Sequence, residues 1–430
     1  MGRGLHPEVW HVTASGRPAP AAALVLAAVL VAAGCGQSSA SEPAGSTPSA
    51  GSAGPVASNA GASVAASAAA NTSAASATAT AGPTIVHGVF SPTGSLAQGR
   101  SQAVAVVLAD ARVLVVGGYA AGSNATSSAE VYDPATGRFS VTGSMAVARV
   151  GHQATLLDDG RVLVTGGRVG GVAKGYASAE LYDPATGKFT ATGSMKSARI
   201  YHSATLLPDG RVLVAGGESG SCWNTAEIYD PATGKFTATG SMRACRYSHS
   251  ALLVGGVVLL IGGENGGTVP VATAEIYDPA TGKFAATGSM GVRRGGNKTA
   301  TLLANGNVLV AGGSTGDSSA SITAAAELYD PTTGTFTSVG SMTGPRAMHA
   351  AVLLGDGRVL ICGGKNAFTS AGNLATAELY DPATGKFTAT GSLAEKRNGL
   401  AAVLLKSGKV LLVGGSSGSA LLAGAELYQP

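Results

Sequence analysis

Charge and aromatic rings are scarce in this chain. Only 12% of residues are Asp, Glu, Lys or Arg, and 5% are aromatic. So little charge excludes a coiled coil and a strongly charged disordered chain. The formal net charge of +4 is mild. Nucleic-acid binders carry a basic face or stripe, so nucleic acid is not an expected partner. After residue 35 no run is long and apolar enough to span a bilayer. No Ser-His-Asp set, no carboxylate pair in a cleft and no phosphate loop can be placed. Glycine, in contrast, is abundant, with 64 residues, which suits an all-β fold dense in turns.

The N-terminus reads as a targeting device. Arg3 and Arg17 precede an uncharged run, AAALVLAAVLVAAG at 21–34, and Cys35 follows it. A basic segment, a short apolar segment and small residues before a cleavage point make a secretory signal. The Ala32-Ala33-Gly34-Cys35 ending resembles the lipobox of bacterial lipoproteins, whose cysteine is lipidated and becomes the first mature residue. Ala32 departs from that pattern, where Leu is commoner. Lipid attachment at Cys35 is the expectation; plain cleavage and secretion, or an uncleaved anchor, are the alternatives. Acyl chains there would bury enough methylenes to hold the protein on a membrane. Residues 36–86 follow as a linker, nearly all Ala, Ser, Gly, Thr and Pro as far as residue 84. Lacking large side chains to bury, it is expected to be disordered and to act as a tether.

From residue 87 to 430 a unit of about 50 residues recurs, the spacing of propellers and solenoids. Its clearest copy reads RIYHSATLLPDGRVLVAGG at 199–217, then AEIYDPATGKFTATGSM at 226–242. The double glycine of Gly216-Gly217 and the strand through Tyr229 each occur seven times. Each unit predicts four strands, A to D. Strand A ends in a turn such as Pro208-Asp209-Gly210, and strand B is the Val-Leu-Val run before the glycines. Strand C carries Glu-x-Tyr, and strand D begins Lys-Phe. Asp-Gly and Asp-Pro-x-x-Gly are tight-turn chemistry. Strands A and B are near-continuous apolar runs, as for strands covered on both faces.

The double glycine, the Glu-x-Tyr-Asp-Pro strand and the strand-D aromatic resemble the kelch repeat family. Phe139, Phe189, Phe236, Phe284, Phe336 and Phe387 stand where that family usually has Trp. The resemblance implies an all-β, seven-bladed kelch-type β-propeller. The chain stops at Tyr428-Gln429-Pro430, after a seventh strand C, while Phe90–Leu96 reads as a stray strand D. Joining them closes the last blade with the N-terminal strand and leaves no open edge.

This strand order puts the A–B and C–D turns on one face and the B–C and D–A loops on the other. The B–C loops vary, and variable loops on a rigid scaffold are where binding usually sits. Arg100, Arg149, Arg199, Arg246, Arg294, Arg346 and Arg397 recur once per blade near the channel on that face. Two readings are open. Such a ring could grip a carboxylate or phosphate. Alternatively each pairs with a strand-C glutamate, of which there are also seven, Glu130 to Glu426. His152, His202, His249 and His349 fall three residues after the arginine, with Ala103, Asn297 and Leu400 as the equivalents elsewhere. They are expected as framework hydrogen-bonders, a channel metal site being the alternative. Cys222 and Cys245 belong to the two loops of blade three and are expected to form a disulfide, free thiols being the alternative. Cys362 reads as a buried small hydrophobe.

Arg199-Ile200-Tyr201-His202-Ser203 is also similar to a propeller strand of the galactose oxidase family. There a Tyr-His pair ligates copper, so Tyr201 and His202 are the alternative metal residues. The family's radical-forming tyrosine is cross-linked to a cysteine; that cysteine position is Gly151 here. A further histidine ligand comes from a C-terminal domain that the sequence does not show. The leading expectation is therefore a membrane-tethered binding scaffold with no catalytic residues and no cofactor. Its partner would be a protein, a glycan or a small anionic ligand. A copper oxidase with an incomplete site and a purely structural envelope protein are the alternatives.

Overall fold

The structure, a computed structural model, describes residues 88–430 apart from 171–173, 268 and 317–320. The signal segment, Cys35 and the linker lie outside the described residues.

Seven four-stranded antiparallel sheets form the ring. Blade three shows the pattern: strand A (Ser203–Leu206), B (Val212–Ala215), C (Thr225–Asp230) and D (Lys235–Ser241). Strand A of each blade touches strand A of the next, which makes it the innermost strand. Strand B is buried throughout, and the apolar core lies between blades rather than within them. Leu213, Ala215 and Ile228 of blade three, for example, pack on Ala251, Val258 and Leu260 of blade four.

Blade seven is closed as the sequence predicts. The N-terminal strand Val89–Ser95 pairs with Gly424–Gln429, with Phe90 opposite Tyr428. Those rings lie 4.8 Å apart, the spacing of the Tyr229–Phe236 pair in blade three. Phenylalanine thus fills the strand-D aromatic position by packing on the strand-C tyrosine.

Turn chemistry holds the outer end of each hairpin. Asp230 accepts hydrogen bonds from Ala232 N at 2.9 Å and Thr233 Oγ1 at 3.0 Å, and Gly234 takes φ 67°. The double glycine has a different role. A Cβ on Gly216 would meet the carbonyl of Arg246 in the next blade, and Gly217 N donates to that carbonyl at 2.9 Å. The same inter-blade bond recurs at all seven junctions, including Gly415 N to Arg100 O at 2.9 Å across the closure. Glycine is needed because neighbouring backbones meet there at positive φ.

A second inter-blade bond joins a strand-D threonine to the next blade's tyrosine hydroxyl, as in Thr192 to Tyr229 at 2.9 Å. Six junctions have it. At the remaining one Val339 replaces threonine, and the buried Tyr380 hydroxyl has no partner. Val339→Thr should therefore stabilise the fold by about 1 kcal/mol, the net value of a satisfied buried hydrogen bond. Chemical denaturation of the two proteins checks this; an unchanged midpoint would show that Tyr380 gains nothing from a partner.

Candidate binding face and central channel

The seven arginines are buried, with 0–2% of their surface exposed. Each pairs with the strand-C glutamate of its own blade at 2.6–3.0 Å, Arg199 to Glu227 being typical. Arg199 Nη1 also donates to the carbonyls of Gly216 and Thr225, at 2.7 and 2.9 Å. The second oxygen of Glu227 accepts the Lys196 amide of the entering loop at 2.7 Å. Each clasp thus ties strand A, the double glycine, strand C and the D–A loop together. Of the two readings open for the arginines, the structure shows the internal one. The guanidiniums form no free anion-binding ring, because they are buried and Glu and backbone carbonyls occupy their Nη donors.

Beneath the clasps lies a layer of buried histidines. The Nε2 atoms of His202, His249 and His349 hydrogen-bond Thr165, Ser203 and Thr299 of the preceding blade at 2.8–3.0 Å. Burial, reinforced by the neighbouring arginines, lowers the pKa of His152, His202 and His349 to about 3. The blade-five counterpart needs correcting. It is Lys298, not Asn297, that lies against Gly262 and Gly313, as His349 lies against Gly312 and Gly364. Blade five has one extra residue after its arginine, in Arg294-Gly295-Gly296-Asn297-Lys298. Counting from the arginine hides the insertion.

Lys298 is 2% exposed, and among the described residues its ammonium donates to Ser248 O and Gly295 O, at 3.4 and 3.3 Å. Burial lowers its pKa to about 7, Arg246 and Arg294 adding to the effect and Glu264 opposing it.

Nearer the mouth, one residue per blade turns to positive φ: Gln102, Gly151, Tyr201, Ser248, Asn297, Met348 and Gly399, at 55–70°. Backbone bonds run round the axis between them, as in Ser248 N to Tyr201 O at 2.8 Å and Gln102 N to Gly399 O at 2.8 Å. Above them sit the residues that follow the double glycines, among them Tyr119, Arg168, Glu218, Glu264 and Lys365. Arg168 lies over the Tyr201 ring at 5.6 Å and donates to its hydroxyl at 3.3 Å. Burial raises the Glu218 pKa and Glu264 raises it further, while Arg168 opposes them. Apart from Tyr201, nothing in the repeat pattern marks these mouth positions; counting outward from each double glycine finds them.

Cys222 and Cys245 are joined in a disulfide, with Cα atoms 5.5 Å apart, and Cys362 is a buried free thiol. Cys222 packs on Ile200, Tyr201 and Tyr247 beside the mouth. Tyr201 and His202 do not converge on one point. The Tyr201 hydroxyl faces Arg168, whereas His202 Nε2 is engaged by Thr165 one layer down. No group of three His, Cys, Asp or Glu side chains among the described residues could hold a metal ion. The two side chains, with these separate partners, do not share one metal position.

The two ends of the ring differ. One repeats Asp-Arg and Asp-Thr turns, and the depression between Asp110, Arg112, Asp159, Arg161 and Pro184 is lined by charges already paired. The other carries every described aromatic residue outside the repeat framework: Tyr119, Tyr176, Tyr201, Trp223, Tyr247 and Phe368.

The Kelch motif family matches residues 100–146 and 245–291. Spermatocyte protein spe-26 of Caenorhabditis elegans is 36% identical over 78 residues, 17% of this chain. The match spans only 14% of that protein's length. A fungal alcohol oxidase of the AA5 family, solved in complex with copper, superposes with a TM-score of 0.65 at 21% identity. That superposition covers 80% of this chain and 76% of the oxidase. At that identity the likeness is one of fold. The molecule is a seven-bladed β-propeller. Two of its seven repeats carry the segments that match the Kelch motif family.

The buried bases give the fold a defined pH response. Histidines held near pKa 3 bind protons in the unfolded chain first, so stability should fall as pH drops from about 6.5 towards 3. Lys298 acts in another window. Folded it is neutral above about pH 7, whereas unfolded it stays charged up to about 10.5. Its penalty is therefore full below pH 7 and fades as pH rises through that window. Lys298→Met should stabilise the protein by on the order of 3 kcal/mol at pH 7, with the gain shrinking by pH 10. Urea melts across pH test this; parallel profiles for the two proteins would show that Lys298 does not titrate there.

Proposed function

We propose that this chain is an exported, membrane-tethered kelch propeller that acts as a binding scaffold through its B–C and D–A loops. The observation that carries the reading is the asymmetry of the ring. Variation in sequence and all the described non-framework aromatics gather at one end, while the other end repeats the same turns. Aromatic side chains supply contact area at low entropic cost and are enriched where proteins bind partners. With the arginines engaged by glutamates, an anionic ligand loses the donors first considered for it. A protein or glycan partner is left.

The tether is read from Arg3, the apolar run and Cys35. Cys35→Ser should abolish metabolic labelling of the full chain with an alkyne palmitate analogue. Persistent labelling would remove the lipid anchor from the account.

The loop reading is tested by exchange. Replacing 119–126 and 366–371 with Gly-Ser sequence should cut partner recovery from envelope extracts at least tenfold. Replacing the C–D turns at 184–186 and 231–233 should not. Equal recovery from both variants would mean that the loop face does not bind.

A further inference from the structure

Blade three departs from the repeat at one point on the loop face. Trp223 is the only tryptophan after residue 35, and Val271 and Thr323 hold its position in the next two blades. Its indole Nε1 donates to Ala198 O at 3.1 Å, which fixes the ring to the loop entering blade three. Its chain neighbours are fastened to the loop entering blade four. Cys222 forms the disulfide to Cys245, Asn224 Nδ2 donates to Met242 O at 3.2 Å, and Asn224 O accepts from Met242 N at 2.8 Å. The half-buried indole is thus held from both sides before any ligand arrives.

The two loops that hold it each carry an exposed cation. Lys196 lies two residues before Ala198, and Arg243 directly follows Met242. Their amides donate to the equivalent glutamates Glu227 and Glu275, at 2.7 and 2.8 Å. The two residues therefore occupy the same point in successive blades. Arg293 continues the arc one blade on, beside Val292, whose amide donates to Glu327 at 3.3 Å. All three cations are exposed, and none has an ion pair among the described residues. The turn face is the contrast: Arg112, Arg161, Arg211 and Arg358 each pair with an aspartate two residues before. The mouth carboxylates do not neutralise the arc. Glu218 is half-buried with the Arg168 charge acting on it, and buried Glu264 accepts Gly296 N at 2.9 Å.

A fixed ring with an unpaired cation on each side suits a ligand that alternates rings with negative charge. Carboxylates match both cations, and the guanidinium can hold one bidentately. The indole offers apolar area to the C–H face of a sugar ring. Cations repeated over successive blades favour a chain, whose linked charges engage together. Single-stranded nucleic acid would call for successive aromatic platforms, and Val271 and Thr323 supply none.

We propose that the blade-three rim binds an acidic polysaccharide, with a sugar ring on Trp223 and carboxylates on Lys196 and Arg243. The assignment rests on the loop-face reading and narrows its partner to an anionic glycan. Its donors are exposed rim cations, not the seven buried arginines of the clasps.

The test uses the full chain with Trp10→Phe, which leaves Trp223 as the single indole fluorophore. Polygalacturonate is the probe. Dextran, which has no charge, polyglutamate, which has no sugar ring, and oligothymidylate are the controls. A saturable change in indole emission with polygalacturonate, weakened by added salt, is expected. Dextran should give none, and the other two should bind at least tenfold more weakly, the scale of one anchoring aromatic contact. Lys196→Gln and Arg243→Gln should each weaken binding about threefold, the scale of an exposed ion pair. Trp223→Ala, read by retardation in a polygalacturonate gel, should lose at least tenfold, and Trp223→Phe should recover part of it. If Trp223→Ala lowers the Tm, the two charge variants decide, since their side chains are exposed. Lys235→Gln on the turn face should bind as the parent does. No saturable response, equal binding of any control, or full affinity in both charge variants would overturn the site. The loop exchange alters blades one and six, so a chain that still recovers its partner there but ignores polygalacturonate refutes this site alone.

Discussion

One buried ion pair per blade sets the geometry on which the rest depends. Each arginine reaches across its own sheet from the start of strand A to the strand-C glutamate. Its carbonyl, meanwhile, receives the second glycine of the preceding blade. A single residue therefore fixes both the interior of one blade and its distance from the next. Buried charges are costly unless their remaining hydrogen-bonding capacity is met. Here backbone carbonyls take Nη protons and a loop amide donates to the second carboxylate oxygen, while the Nε of six of the seven arginines stays without a partner. The arrangement leaves no room for a side chain at the glycines, which explains why that pair recurs wherever the arginine does.

The architecture was legible because it repeats. Strand pattern, turn chemistry and the unpaired seventh strand C all pointed to a closed ring, and the pairing of Phe90 with Tyr428 follows from that pattern. Residues that belong to a single blade were harder to read. Whether the arginines were free depended on a distance across the sheet that no spacing reveals. Lys298 was hidden by one inserted residue, which shifts the count from the arginine but not from the strand. Ser248 looks ordinary in sequence. It becomes notable only when the positive-φ turns of seven blades meet at one axis.

Departures from the repeat are concentrated on one side of the ring. Blades three to five contain the disulfide, the buried lysine and the two mouth glutamates. The same sector holds Tyr201, Trp223 and Tyr247. A symmetric scaffold tolerates such substitutions because each blade is held by its own clasp. A change in one junction need not be compensated in the other six.

The closure strand has a mechanical consequence. In six blades strand D continues the chain from strand C through a tight turn. In blade seven the two strands meet only through hydrogen bonds and the Phe90–Tyr428 contact. A pull applied at Gly88 would load that non-covalent seam before any other. Under tension the ring should open there first, as a clasp bracelet does, with the other six blades still folded.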